Sequence, residues 1–180
     1  MVRELTVDQQ HPSQKSKKSS PQQQLSLRGR ALRLLGRREL SRQELEARLR
    51  RHGDADKPGE LETLLDDLAE RGWLSDARYA EALVRKRTGQ YARRSIAQEL
   101  KRAGVDEEIT AAALTQNPED DPDAEFAAAL ALCQRKFRNA PVEQKEKARQ
   151  IRFLQTRGYG FGLALRVIKQ LAGSIRDVDE

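Results

Sequence analysis

A leucine followed four residues later by a glycine occurs three times at near-equal spacing: Leu49 and Gly53, Leu100 and Gly104, Leu154 and Gly158. The glycines stand 51 and 54 residues apart. Each closes a stretch with helical apolar spacing, and glycine is the residue that takes the left-handed conformation past a helix end. A period of this length holds three helices. It marks stacked units, each too small to bury its apolar stripe alone. Glycine stops are common in helical proteins, so the repeat rests equally on the caps, staples and helix order that recur with them. The spacing predicts an all-α chain of three tandem three-helix repeats.

The first copy is the most explicit. Ser41 is followed three residues later by Glu44, the pattern of a capping box. There the serine oxygen takes a backbone N–H of the first turn, and the glutamate returns to the N–H of the cap. Leu40 and Leu45 stand at the staple positions, and Leu74, Ser75 and Tyr79 repeat the arrangement. Helices are expected from Leu27 to Arg38, with Leu27, Ala31, Leu34 and Leu35 inward, and from Arg42 to His52. A third carries Leu61, Leu64, Leu65 and Leu68 and stops at Gly72. The second unit buries Tyr79, Ala80, Leu83 and Val84, then Ile96 and Leu100, then Ile109, Ala112 and Ala113 behind an Asp106 cap. The third buries Phe126, Leu130, Cys133 and Phe137, then Ala148, Ile151 and Leu154, then Leu163, Val167, Ile168 and Leu171. The predicted organisation is a disordered polar tail 1–25, repeats over 26–72 and 73–117, a proline-rich acidic linker 118–123, a third repeat over 124–172, and a frayed end 173–180.

Charge follows the repeat. The net charge is +6. Most of the charge lies in alternating blocks: +6 over Leu27–His52, −6 over Asp54–Glu70, +6 over Arg85–Arg102, −8 over Asp106–Glu125 and +6 over Cys133–Arg157. A basic chain favours an acidic partner, nucleic acid or protein. A uniform DNA groove has little use for alternating signs, because acids repel phosphate. A polymer surface of alternating charge suits them better.

Chemistry is sparse. Cys133 is the only cysteine, so no intrachain disulfide or cysteine-based zinc site can form, as fits a reducing compartment. It reads as a core residue. His11 and His52 lack the company a metal site needs, and no metal or cofactor is expected. No glycine-rich phosphate loop or activated nucleophile is present, and catalytic residues are expected to be absent. Trp73, Tyr79, Phe126, Phe137, Phe153 and Phe161 read as core or junction fillers. Tyr91 and Tyr159, near glycines, are the aromatics open to exposure. The sequence holds no apolar run of membrane-spanning length, and its N-terminus lacks a signal-peptide core. The expectation is a soluble, cytoplasmic monomer.

The run from Ala31 to Leu45, with Leu49 following, resembles the N-terminal signature of the RecX regulatory proteins of bacteria: two leucines, Arg38-Glu39, Ser41, then Glu44-Leu45. Gly72-Trp73-Leu74-Ser75-Asp76-Ala77-Arg78-Tyr79-Ala80 with Arg85 and Arg87 is similar to the family's next block. Ile96, Glu99, Leu100 and Gly104-Val105 match the one after, and Phe126 to Phe137 with Arg152 to Tyr159 the C-terminal part. The resemblance covers about Leu27 to Leu171. It implies tandem three-helix units in an elongated, curved arrangement. It also implies a modulator of recombination, repair and the SOS response. Such a protein binds the RecA recombinase and its filament on single-stranded DNA, and inhibits ATP hydrolysis, strand exchange and coprotease activity.

The expected contacts are Arg30, Arg33, Arg37 and Arg38 in the first unit, Arg85, Arg87, Arg93 and Arg94 in the second, and Arg149, Arg152 and Arg157 in the third. Each has the alternative of being a solvated helix-face arginine. Two other functions stay open. One is a helix-turn-helix binding duplex DNA directly, and weak DNA binding is compatible with both readings. The other is a structural helical scaffold.

Overall fold

The computed structural model describes residues 26–51, 59–115, 121–137 and 139–173. Among them are nine α-helices and no strand, as the apolar spacing predicts. They are α1 (Leu27–Leu35), α2 (Arg42–Arg50), α3 (Glu60–Glu70), α4 (Asp76–Arg87), α5 (Arg93–Arg102), α6 (Glu107–Thr115), α7 (Pro122–Lys136), α8 (Gln144–Thr156) and α9 (Phe161–Gly173). The Gly53 stop, the tail 1–25, the first half of the linker and the last seven residues lie outside the described residues. Helix α7 takes in the end of the stretch expected as linker, because Asp121 caps it and Pro122 fits a first turn. Helix α1 stops at Leu35 rather than Arg38, since the chain turns at Gly36 to bring Leu40 under the start of α2.

Three separate cores hold the helices. Ala31, Leu40, Leu45, Leu49, Leu61, Leu65 and Leu68 join α1–α3. Tyr79, Ala80, Val84, Ile96, Leu100, Ala113 and Leu114 join α4–α6. Ala129, Leu132, Cys133, Leu154, Tyr159, Ala164, Val167 and Ile168 join α7–α9. Two cores borrow a residue from next door: Leu74 packs in the first and Ala92 in the third. The Leu74–Tyr79 pair therefore closes no staple, because its members point into different cores. Ala112 and Ala148 are exposed rather than inward. At α8 the buried positions are Gln150 and Leu154.

Where the units meet, the N-terminus of one middle helix meets the C-terminal turn of the next. Ser41 is fully buried; its Oγ accepts the Glu44 N–H at 3.1 Å and donates to the Ala103 carbonyl at 2.7 Å. Beside it, the Arg42 N–H donates to Asp76 Oδ1 at 2.8 Å. At the second junction the central bond is backbone to backbone: the Ala92 N–H donates to the Arg157 carbonyl at 2.9 Å. Arg94 donates to the Gly158 carbonyl as well. The glycines of the motif sit at these contacts. A Cβ on Gly104 would lie 2.9 Å from Gln43 Cβ, and one on Gly158 2.6 Å from Ser95 Cβ. Thus α8, α5 and α2 run head to tail, and the partial negative end of each helix lies on the partial positive end of the next.

The third unit departs from this register. Counting back from its glycine, the place of Ser41 and Ala92 is taken by Glu146. That residue lies inside α8, whose extra N-terminal turn precedes it. Its carboxylate accepts the Val142 N–H at 3.1 Å, one residue ahead of the Glu143 cap position.

Gly158 and Gly72 separate the two roles of such glycines. Both have positive φ, 91° and 70°, but a Cβ on Gly72 meets nothing within 4 Å. Gly72→Ala is expected to cost about 1–2 kcal/mol of backbone strain. Gly158→Ala is expected to lose about 1–3 kcal/mol more from overlap with Ser95. Urea unfolding of the two variants side by side measures the difference.

Candidate partner-binding surface

The arginines that the sequence offers as contacts fall into two sets. Most are held within the fold. Arg38 pairs with Glu44, which also takes Arg48 at 2.8 Å. Arg87 forms a two-pronged pair with Glu99 at 3.0 and 2.7 Å and lies over Tyr91, 4.9 Å from the ring centre. Arg93 donates to the Leu114 carbonyl at 2.8 Å, and Arg94 to Gly158. Arg149 lies 5.5 Å from the Phe137 ring. Arg157 sits 3.7 Å from the Phe153 ring and 6.0 Å from Tyr91, on the junction of the second and third units. Arg30 is half-buried in α1.

The other set is Arg33, Arg37, Arg85 and Arg152. All four are exposed, and among the described residues no ion pair, hydrogen bond or ring contact engages their heads. The structure therefore does not gather the eleven arginines into one site. Of these eleven it leaves one or two exposed and unengaged on each unit, and apart from half-buried Arg30 the rest are committed to carbonyls, carboxylates and rings.

Two aromatics differ from expectation in the opposite sense. Trp73 is 44% exposed and Phe161 59%, whereas Tyr159 is fully buried. Trp73 is framed by Arg28 and Arg71, 5.5 and 5.8 Å from its ring centre. Asp67 holds both guanidiniums, at 2.9 and 2.7 Å. The hydrogen bond from Arg71, with the charge of Arg28 beside it, keeps the Asp67 carboxyl below its usual range. Tryptophan and arginine are the side chains most often dominant in protein interfaces. The signal in the sequence was Trp73 directly after a glycine stop, where no helical stripe demands an apolar residue.

No catalytic arrangement is formed by these side chains. Cys133 is buried in the third core, and burial pushes its thiol up to about 11. Among the described residues no cluster of histidine, cysteine, aspartate or glutamate has the makings of a metal site. Among them, too, no helix is long and apolar enough to cross a membrane.

Residues 75–114 match the family model for the second three-helix domain of RecX, and residues 123–168 the model for the third. The regulatory protein RecX of Neisseria meningitidis serogroup A is 40% identical over 136 residues, 76% of this chain and 84% of that one. The chain belongs to the RecX family. The RecX regulatory protein of Ralstonia nicotianae is 38% identical over 160 residues, 89% of this chain and 97% of that one. A crystal structure of RecX from Lactobacillus salivarius matches with a TM-score of 0.61, covering 81% of this chain and 94% of that one. At 19% identity it speaks for the fold alone. The family assignment and the all-α fold thus agree with what the sequence blocks suggested.

Two titrations follow from these surroundings. Burial raises the Glu44 carboxyl, but hydrogen bonds and charge from Arg38 and Arg48 outweigh it and lower the group below its ordinary 4.5. A depressed carboxyl stabilises the fold above its unfolded value, and the contribution fades as pH falls through the folded one. The stability gap between the unaltered chain and Glu44→Gln is therefore expected to narrow below about pH 4.5 in acid-dependent thermal melts. Cys133 is expected to resist iodoacetamide at neutral pH until urea unfolds the third core, as mass spectrometry of the alkylated chain would register.

Proposed function

We propose that this chain is a non-enzymatic regulator that binds the RecA recombinase and its filament on single-stranded DNA. By spanning neighbouring subunits it restrains ATP hydrolysis, strand exchange and coprotease activity, and so modulates recombination, repair and the SOS response. It acts as a monomer in the cytoplasm, where such filaments form. The observation that carries the reading is membership of a family whose relatives are named regulatory proteins, across most of this chain. Two features of the fold support it. Three units joined head to tail suit a partner that is itself repetitive. The exposed Arg33, Arg37, Arg85 and Arg152 distribute cations over all three units instead of concentrating them in one groove.

The rival, direct reading of duplex DNA by a helix-turn-helix, fits the geometry less well. A recognition helix presents its N-terminal residues to base edges. The start of α2 is instead covered: Ser41 is buried against Ala103, and Arg42 is bonded through its backbone to Asp76. A purely structural scaffold would leave RecA untouched.

The test is a titration of the chain into RecA on single-stranded DNA while ATP hydrolysis is followed. Hydrolysis is expected to fall progressively and to be largely lost at ratios well below one chain per recombinase. Undiminished hydrolysis at filament-saturating amounts would sink the proposal. Binding to duplex DNA alone, steeply weakened by salt and unchanged by RecA, would favour the rival.

A further inference from the structure

A cleft of about 730 Å3 opens between α2 on one side and α4 and α5 on the other, across the first and second units. Its apolar lining is Ala47, Ala82, Leu83 and Ala103, together with the buried Tyr79. Charged residues make its walls, and their bookkeeping is uneven. Each lining carboxylate is already occupied. Glu39 holds Arg78 at 3.0 Å, Glu44 holds Arg38 and Arg48, and Glu99 holds Arg87. Two lining cations have no such partner among the described residues, Lys86 near the end of α4 and Arg102 at the end of α5. Both are exposed. The cleft is therefore a greasy trough with an unbalanced positive rim.

This arrangement discriminates between acidic partners. Single-stranded nucleic acid wants ring faces on which bases stack, and guanidinium forks for phosphate. The one aromatic here, Tyr79, is only 9% exposed, and two of the three lining guanidinium forks, Arg38 and Arg87, are filled by glutamates, which leaves Arg102 alone open and no ring face to stack on. A protein segment with leucine-like side chains on one face and carboxylates beside them finds everything it needs: an apolar floor, and two cations whose charge nothing else cancels. An amphipathic helix laid in a groove is a recurring mode of such recognition. An α-helix is about 10 Å across and rises about 5.4 Å per turn, so the volume accommodates between one and two turns.

We propose that this cleft is the docking groove for an acidic amphipathic segment of a protein partner, with Lys86 and Arg102 taking its carboxylates. The groove deepens the regulatory reading, and rests on it only for which protein brings the segment.

The experiment titrates the full isotope-labelled chain with a short helical peptide of glutamate and leucine, following backbone amide signals. The controls are the same peptide with glutamine for glutamate, and an oligothymidylate. The acidic peptide is expected to shift the signals of Ala47, Ala82, Leu83 and Ala103 saturably. Lys86→Glu with Arg102→Glu is expected to weaken binding by about tenfold, and Lys86→Arg with Arg102→Lys to retain it. Amide spectra of the unliganded variants confirm that they fold. Cleft signals that stay still overturn the proposal. So do signals that respond equally to the glutamine peptide, respond to the oligonucleotide instead, or show affinity indifferent to both reversals. The mixture contains no recombinase, so its result holds whichever way the ATP hydrolysis titration falls.

Discussion

Everything in this fold hangs on a carbonyl meeting a helix start. A unit of three short helices buries few side chains, and small cores are marginal on their own. The Ala103 and Arg157 carbonyls are the exposed ends of α5 and α8, and a carbonyl left dry and unbonded would be costly. Placed against Ser41 and the Ala92 N–H, each finds its donor in the neighbouring unit. At α5 the same contact satisfies the N–H of the cap residue, and at α2 the first-turn N–H groups of Glu44 and Arg42 are met by Ser41 Oγ and Asp76. Both junctions add a borrowed apolar plug, Leu74 or Ala92, so polar satisfaction and burial reinforce each other.

Much of this was legible in the sequence, for identifiable reasons. Apolar spacing located the helices because each buries one stripe and exposes the rest. Ser41 and Ser75 announced helix starts through local chemistry that needs no distant partner. What the sequence concealed was the second use of the same residues. Gly104 and Gly158 read as stops for their own helices, yet they also clear space for Gln43 and Ser95, more than fifty positions away. Nothing local distinguishes them from Gly72, which clears space for nothing. Glu44 was expected to return to the Ser41 N–H; two arginines claim its carboxylate instead, since a donor that is itself charged outcompetes a neutral N–H.

The arginines make the same point about the candidate surface. Composition established that the chain is basic in blocks, and blocks suggested contacts. Position along a helix cannot say whether a guanidinium finds a carbonyl at a neighbouring turn, as Arg93 and Arg94 do, or a ring, as Arg149 and Arg157 do. A planar head with five donors and an aromatic-compatible face is suited to that structural work. Of the eleven candidates, the four left in solvent are the ones whose heads no acceptor or ring engages among the described residues. Their identity emerged only from packing. Trp73 erred the other way, because a lone tryptophan in a chain poor in aromatics is naturally assigned to a core.

The extra turn of α8 carries a consequence of its own. Stacked units of this kind have no intrinsic length: a socket at every helix start invites another copy, and a repetitive assembly can in principle lengthen without limit. Here that place is filled by helix: α8 has already begun at Gln144, two residues ahead of Glu146. The file therefore has a direction: its two sockets lie at the starts of α2 and α5, and the start of α8 is built differently.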